Sequence, residues 1–175
     1  MRRDGPAAFG LEAIATKAGV SRVTVYNQFG SRVGLLEALY DDIARRARIA
    51  ERLGTAFRSS DPQSTLDGVV VAFIEFWKSE RTVLRRLRSM AALDAAFKGA
   101  TDREERRVTA MRTVLVRLIA ARERRLEDPD ECARVLAMLT SFETYETLAG
   151  SGMDCARITS TVQQLARAAV ELALS

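Results

Sequence analysis

Arg22, Val23, Thr24, Tyr26, Asn27 and Gln28 place a cation, two hydroxyls, two amides and one apolar surface within a short run of chain. These groups donate and accept hydrogen bonds; they do not make a proton-transfer or electron-transfer centre. Arg22 and Tyr26 suit phosphate oxygens, Thr24, Asn27 and Gln28 suit base edges or phosphates, and Val23 suits a thymine methyl. The set therefore points to double-stranded DNA as a partner. Histidine is absent from the chain, which removes the commonest general base and the commonest metal ligand. With no glycine-rich phosphate loop and no nucleophile motif, the chain is not expected to be an enzyme, to bind a metal or to carry a cofactor.

The elements that must hold this edge are legible around it. Leu11, Ile14, Ala15 and Ala18 recur at helical spacing, Gly19 can turn at positive φ, and Ser21 can cap a second helix. Leu11 to Phe29 thus reads as a helix-turn-helix. Ala15 falls where the helices cross, and Val20, Val25 and Phe29 are expected to seal the junction. Charge agrees with that reading. Residues 1–60 hold ten Lys or Arg against six Asp or Glu, whereas residues 61–175 hold seventeen of each. The whole excess of +4 lies with the proposed reader, where a polyanion would be drawn.

The stretch IATKAGVSRVTVYNQFGSRVGLLEAL resembles the DNA-binding domain of the TetR family of bacterial transcriptional regulators. The resemblance implies an all-helical homodimer whose third helix enters the major groove and whose larger C-terminal region binds a small molecule and dimerises. Carried over by position, it implies phosphate or base contacts from Arg22, Thr24, Tyr26, Asn27 and Gln28. It also implies a phosphate contact from Arg32, where the family commonly has lysine; either cation at a helix start can hold a phosphate. Two departures stand upstream. MRRDGPAAFG carries Gly5 and Pro6 and reads as a loop where the family has a full first helix, so the head is expected to be incomplete and loosened. Gly10 stands where the family prefers a hydroxyl residue to cap the next helix.

The expected fold is all-α: this incomplete head over 1–48, joined to a larger helical bundle over 49–175 for effector binding and dimerisation. A composition of 47% hydrophobic and 29% charged residues suits a globular protein. No stretch approaches the roughly 18 apolar residues of a membrane span, and the start lacks the apolar segment of a signal peptide, so the expected location is the cytoplasm. Cys132 and Cys155 form no metal-ligand pattern, and no disulfide is expected. Ser31 opens a helix running to about Leu53; Asp61 and Pro62 start another that ends near Glu80. Thr101 with Glu104 and Asp128 with Glu131 have capping-box spacing, and Asp154 can cap the last helix.

Two features of the body carry functional expectations. Ile158, Val162, Leu165, Ala169 and Leu172 follow a four-three-four-three rhythm suited to a partner helix. With Val135 and Met138 on the preceding helix they form the expected dimer interface, which would hold two heads about 34 to 36 Å apart for successive major grooves. The second feature is aromatic and methionine density. Phe73, Phe76, Trp77, Leu87, Met90, Met111, Leu115, Phe142 and Tyr145 lie on helices that the resemblance implies enclose an effector pocket, with Glu146 able to fix a polar or cationic group. The function expected is that of a ligand-responsive repressor, released from its operator by a small-molecule effector. The alternative is a dimeric small-molecule-binding or interaction module with impaired DNA binding.

Overall fold

The computed structural model describes residues 11–91, 101–122 and 125–174, nearly all of them helical. The expected loop over residues 1–10, and with it the missing first helix and the uncapped Gly10, lies outside the described residues. The chain divides into two compact units, Met1–Arg46 with Thr82–Ala100, and Ala47–Arg81 with Thr101–Ser175.

In the first unit, α1 (Leu11–Ala18), α2 (Arg22–Phe29) and α3 (Arg32–Arg46) follow one another through short turns. α1 stops because Gly19 takes φ +69°, from which the Gly19 and Val20 amides donate back to the carbonyls of Thr16 and Ala15 at 3.2 and 3.0 Å. Ala15 and Val25 are buried, as the crossing of two short helices requires, and Leu36 and Ile43 bury the inner face of α3. Val20 does not join that seal: it is exposed, because the left-handed turn swings it outward. Phe29 is half-buried.

The long helix expected from Ser31 to Leu53 is two helices. α3 ends at Arg46 and α4 (Ile49–Phe57) begins after Arg48, which takes a left-handed φ of 53°. Such a backbone costs an arginine about 1–2 kcal/mol relative to a helical one. Arginine is an ordinary helix former, so no local residue type announces the break. The helix starting at Pro62 also differs in extent. α5 runs from Pro62 to Ala91, because Leu84 and Leu87 continue a buried stripe past Glu80. Asp61 caps its start, accepting from the Gln63 and Ser64 amides at 3.2 and 2.8 Å.

The second unit contains α4, the first part of α5, α6 (Thr101–Arg122), α7 (Pro129–Leu139), α8 (Phe142–Gly150) and α9 (Cys155–Ala173). Leu66, Val69, Val70, Ile74, Met111, Val114, Leu115, Leu136, Ile158 and Val162 are fully buried there. Asp128 caps α7 through the Asp130 and Glu131 amides with Pro129 in the first turn, and Asp154 caps α9 through the Arg157 amide at 2.8 Å. Arginines tie the loops down. Arg117 donates to the carbonyls of Phe57 and Ser59 at 2.9 and 2.6 Å, and so closes the α4–α5 connection. Arg107 donates to the Ala137 carbonyl at 3.1 Å near the end of α7.

α4 and α5 approach closely at Gly68, where an added Cβ would stand 2.8 Å from the Cβ of Ala56. Gly68→Val is therefore expected to destabilise the body by about 1–3 kcal/mol through overpacking. A urea midpoint unchanged from the parent chain would contradict this close approach.

Candidate DNA-binding site

The polar edge is built on α2. Ser21, extended at φ −75° and ψ 153°, precedes it, and its hydroxyl accepts from the Thr24 amide at 3.0 Å. Gly30, at φ +69°, ends it, its amide donating to the Tyr26 carbonyl at 2.7 Å. Both ends of this eight-residue helix are thus fixed by side chains or backbone forms suited to the task. Only Val25 is buried among its residues. Arg22, Val23, Thr24, Tyr26, Asn27 and Gln28 are all exposed, and Val23 retains 65% of its surface. An exposed valine and tyrosine beside two amides is a combination suited to a groove.

Arg32 stands at the first position of α3, half-buried. Ser31 precedes it and accepts from the Gly34 amide at 3.0 Å. The turn over Gly30 and Ser31 thereby brings the start of α3 directly after the end of α2.

In the body, the expected pocket residues are placed as follows. Phe73, Phe76, Trp77, Phe142 and Tyr145 form one aromatic cluster: Trp77 lies 4.6 Å from Phe76 and 5.6 Å from Phe142 between ring centres, and Phe142 lies 6.5 Å from Tyr145. All five are buried, as are Met111 and Leu115. Leu87 is buried in the first unit. The side chain of Met90 lies outside those described. Glu146 is not open toward a ligand: Arg81 grips it with two hydrogen bonds of 3.0 and 2.9 Å, and the same guanidinium lies 5.9 Å from the centre of the Tyr145 ring. Arg81 was beyond reach of sequence reasoning as this partner, since the two residues are 65 apart in the chain.

The dimer expectation requires a correction of face. Ile158 and Val162 are buried within the protomer, forming with Ala166 and Val170 an inward stripe at four-residue spacing. They are core. Leu165, Leu172 and Met138 are exposed apolar residues, and Val135 and Ala169 are half-buried. A four-three rhythm spreads over both sides of α9, so spacing alone did not separate the inner from the outer face.

Both cysteines are free. Burial pushes the Cys132 thiol up, and burial followed by a hydrogen bond to Glu75 pushes the Cys155 thiol up, so neither is held as a reactive thiolate. No group of metal-binding side chains occurs among the described residues, and no described helix is long and apolar enough to cross a membrane.

A family model described as "Bacterial regulatory proteins, tetR family" matches residues 1–39. Over these residues the chain is similar to that family. The match covers α1, α2, Ser31 and the start of α3. Beyond this segment, the whole chain is similar in fold to solved TetR-family regulators. One from Rhodococcus sp. is 22% identical, with a TM-score of 0.70 over 99% of this chain and 91% of that one. Another, a TetR transcription regulator from Haloarcula marismortui, is 19% identical, with a TM-score of 0.67 over 95% and 87%. A TetR-family regulator from Thermus thermophilus, also 19% identical, has a TM-score of 0.58 over 97% and 90%. Nothing among the curated proteins matches the chain.

Proposed function

We propose that this chain is a ligand-responsive transcriptional regulator, a repressor that binds an operator as a homodimer in the cytoplasm and leaves it when a small molecule binds the body. The observation that carries the DNA-binding part is the capped helix α2 with Arg22, Val23, Thr24, Tyr26, Asn27 and Gln28 all exposed and only Val25 turned inward. The match of residues 1–39 to the TetR family supports it. No catalytic role is assigned. The aromatic cluster of Phe73, Phe76, Trp77, Phe142 and Tyr145 is the proposed effector region. Release requires that the effector bind the DNA-incompetent state more tightly, since equal affinity for both states moves nothing.

The test is a fluorescence-anisotropy titration of the chain on duplex DNA taken from around its own coding sequence, against random duplex at matched salt. Preference for the former supports the reading; equal affinity for both sinks it. Two variants assign the roles within the edge. Asn27→Ala is expected to weaken operator binding by about 1–3 kcal/mol while leaving random DNA little changed, as loss of a base contact does. Arg32→Ala is expected to weaken both alike and to reduce the salt slope by about one.

A further inference from the structure

Ser21 and Thr24 do more than cap a helix. The Thr24 amide donates to the Ser21 hydroxyl at 3.0 Å, and the two hydroxyl oxygens lie 2.9 Å apart, with either able to donate. The same chain contains the same pair again. At the start of α8 the Thr144 amide donates to Ser141 Oγ at 3.1 Å, and the two hydroxyls are also 3.1 Å apart. There the direction is forced, because Thr144 Oγ1 lies 2.7 Å from the Met138 carbonyl oxygen, which can only accept. Thr144 must give its proton to that carbonyl, so Ser141 must give its own to Thr144. The result is a chain of three bonds in one direction, from amide to serine, serine to threonine, and threonine to an acceptor.

At α2 the first two parts are present, and among the described residues Thr24 Oγ1 has no carbonyl in the place of Met138. Thr24 is exposed, on the edge proposed above to meet DNA. We propose that Ser21 is a positioning residue for DNA binding: it donates to Thr24 Oγ1 and thereby turns the threonine proton outward to an acceptor oxygen on the duplex. The inference rests on the DNA-binding reading and adds a direction to it. Thr24 then recognises acceptors only, on a phosphate or on a base edge, and the bond is strengthened because each hydroxyl in the chain polarises the next.

The test is a double-mutant cycle on the full chain, read by anisotropy on the duplex from around its coding sequence and on random duplex. Ser21→Gly removes the hydroxyl at small cost to the helix, since glycine is itself an acceptable cap. Ser21→Gly and Thr24→Val are each expected to weaken binding about fivefold, the range of one ordinary hydrogen bond, and the double variant no more than either alone. Ser21→Thr is expected to restore binding, which a side chain acting only through its bulk would not do. A loss shared equally by both duplexes places the acceptor on phosphate, and a loss confined to the first duplex places it on a base; both support the relay. Losses that multiply in the double variant, or an unaltered Ser21→Gly chain, overturn it while the parent chain still binds. A parent chain that prefers neither duplex overturns the DNA-binding reading, and the relay with it.

Discussion

Trp77→Ala is expected to lower the stability of the body by about 3–5 kcal/mol, the range for deleting a large buried aromatic side chain. Trp77 is almost wholly buried and joins two parts of the second unit at once. Its ring meets Phe76 on its own helix and the edge of Phe142 on α8, while its indole N–H donates to the Thr140 carbonyl at 2.9 Å. Thr140 is the residue at which α7 ends, one before the Ser141 cap of α8, so this bond satisfies a carbonyl at the point where helical bonding is interrupted. Trp77→Phe separates the two contributions. It keeps most of the aromatic packing and leaves the carbonyl without its donor, for which about 1–3 kcal/mol is expected. Circular dichroism in urea measures both, since Trp77 is the chain's one tryptophan and its fluorescence disappears with it. A Trp77→Phe midpoint equal to that of the parent would show that the bond to Thr140 contributes nothing.

The same junction shows where sequence reasoning stopped. Val135 to Tyr145 reads as one apolar helix, yet α7 and α8 part at Thr140 and Ser141. Ser141 and Thr144 have the spacing of Ser21 and Thr24, so the cap was written in the chain. It is masked because it lies inside an apolar run, while Ser21 follows close on a glycine. Local signals that agree with their surroundings were legible: the turn at Gly19, the caps at Ser21, Asp61, Asp128 and Asp154, and the outward set on α2. What depends on distant partners was not. Nothing near Glu146 marks Arg81 as its counter-ion, and nothing near Arg48 marks a left-handed backbone. Phase on α9 failed for a related reason: apolar residues occupy both of its faces, and only the rest of the fold decides which face is buried.

That division of α9 sets up the largest effect expected on function. In the isolated protomer Leu172 retains 89% of its surface, Leu165 47% and Met138, on α7, 58%. Leu165 and Leu172 are two helical turns apart on one side of α9, and α7 packs against α9. Large apolar side chains left in water on packed neighbouring helices favour association, and a second copy of the chain is the partner in the homodimer proposed above. Leu165→Asp with Leu172→Asp is therefore expected to raise the dimer dissociation constant on the order of 100-fold, about 2.7 kcal/mol, with a folded protomer retained. Analytical ultracentrifugation reads the first property and circular dichroism the second. Operator binding should weaken with it, and its salt slope should fall toward half, because a lone head neutralises half the phosphates. Val162→Asp is the control from the inward face. Val162 is wholly buried, so a carboxylate there is expected to unfold the protomer and not merely to separate two of them. A Leu165→Asp, Leu172→Asp chain that stays dimeric at the parent's concentration would move the interface off the outer face of α9.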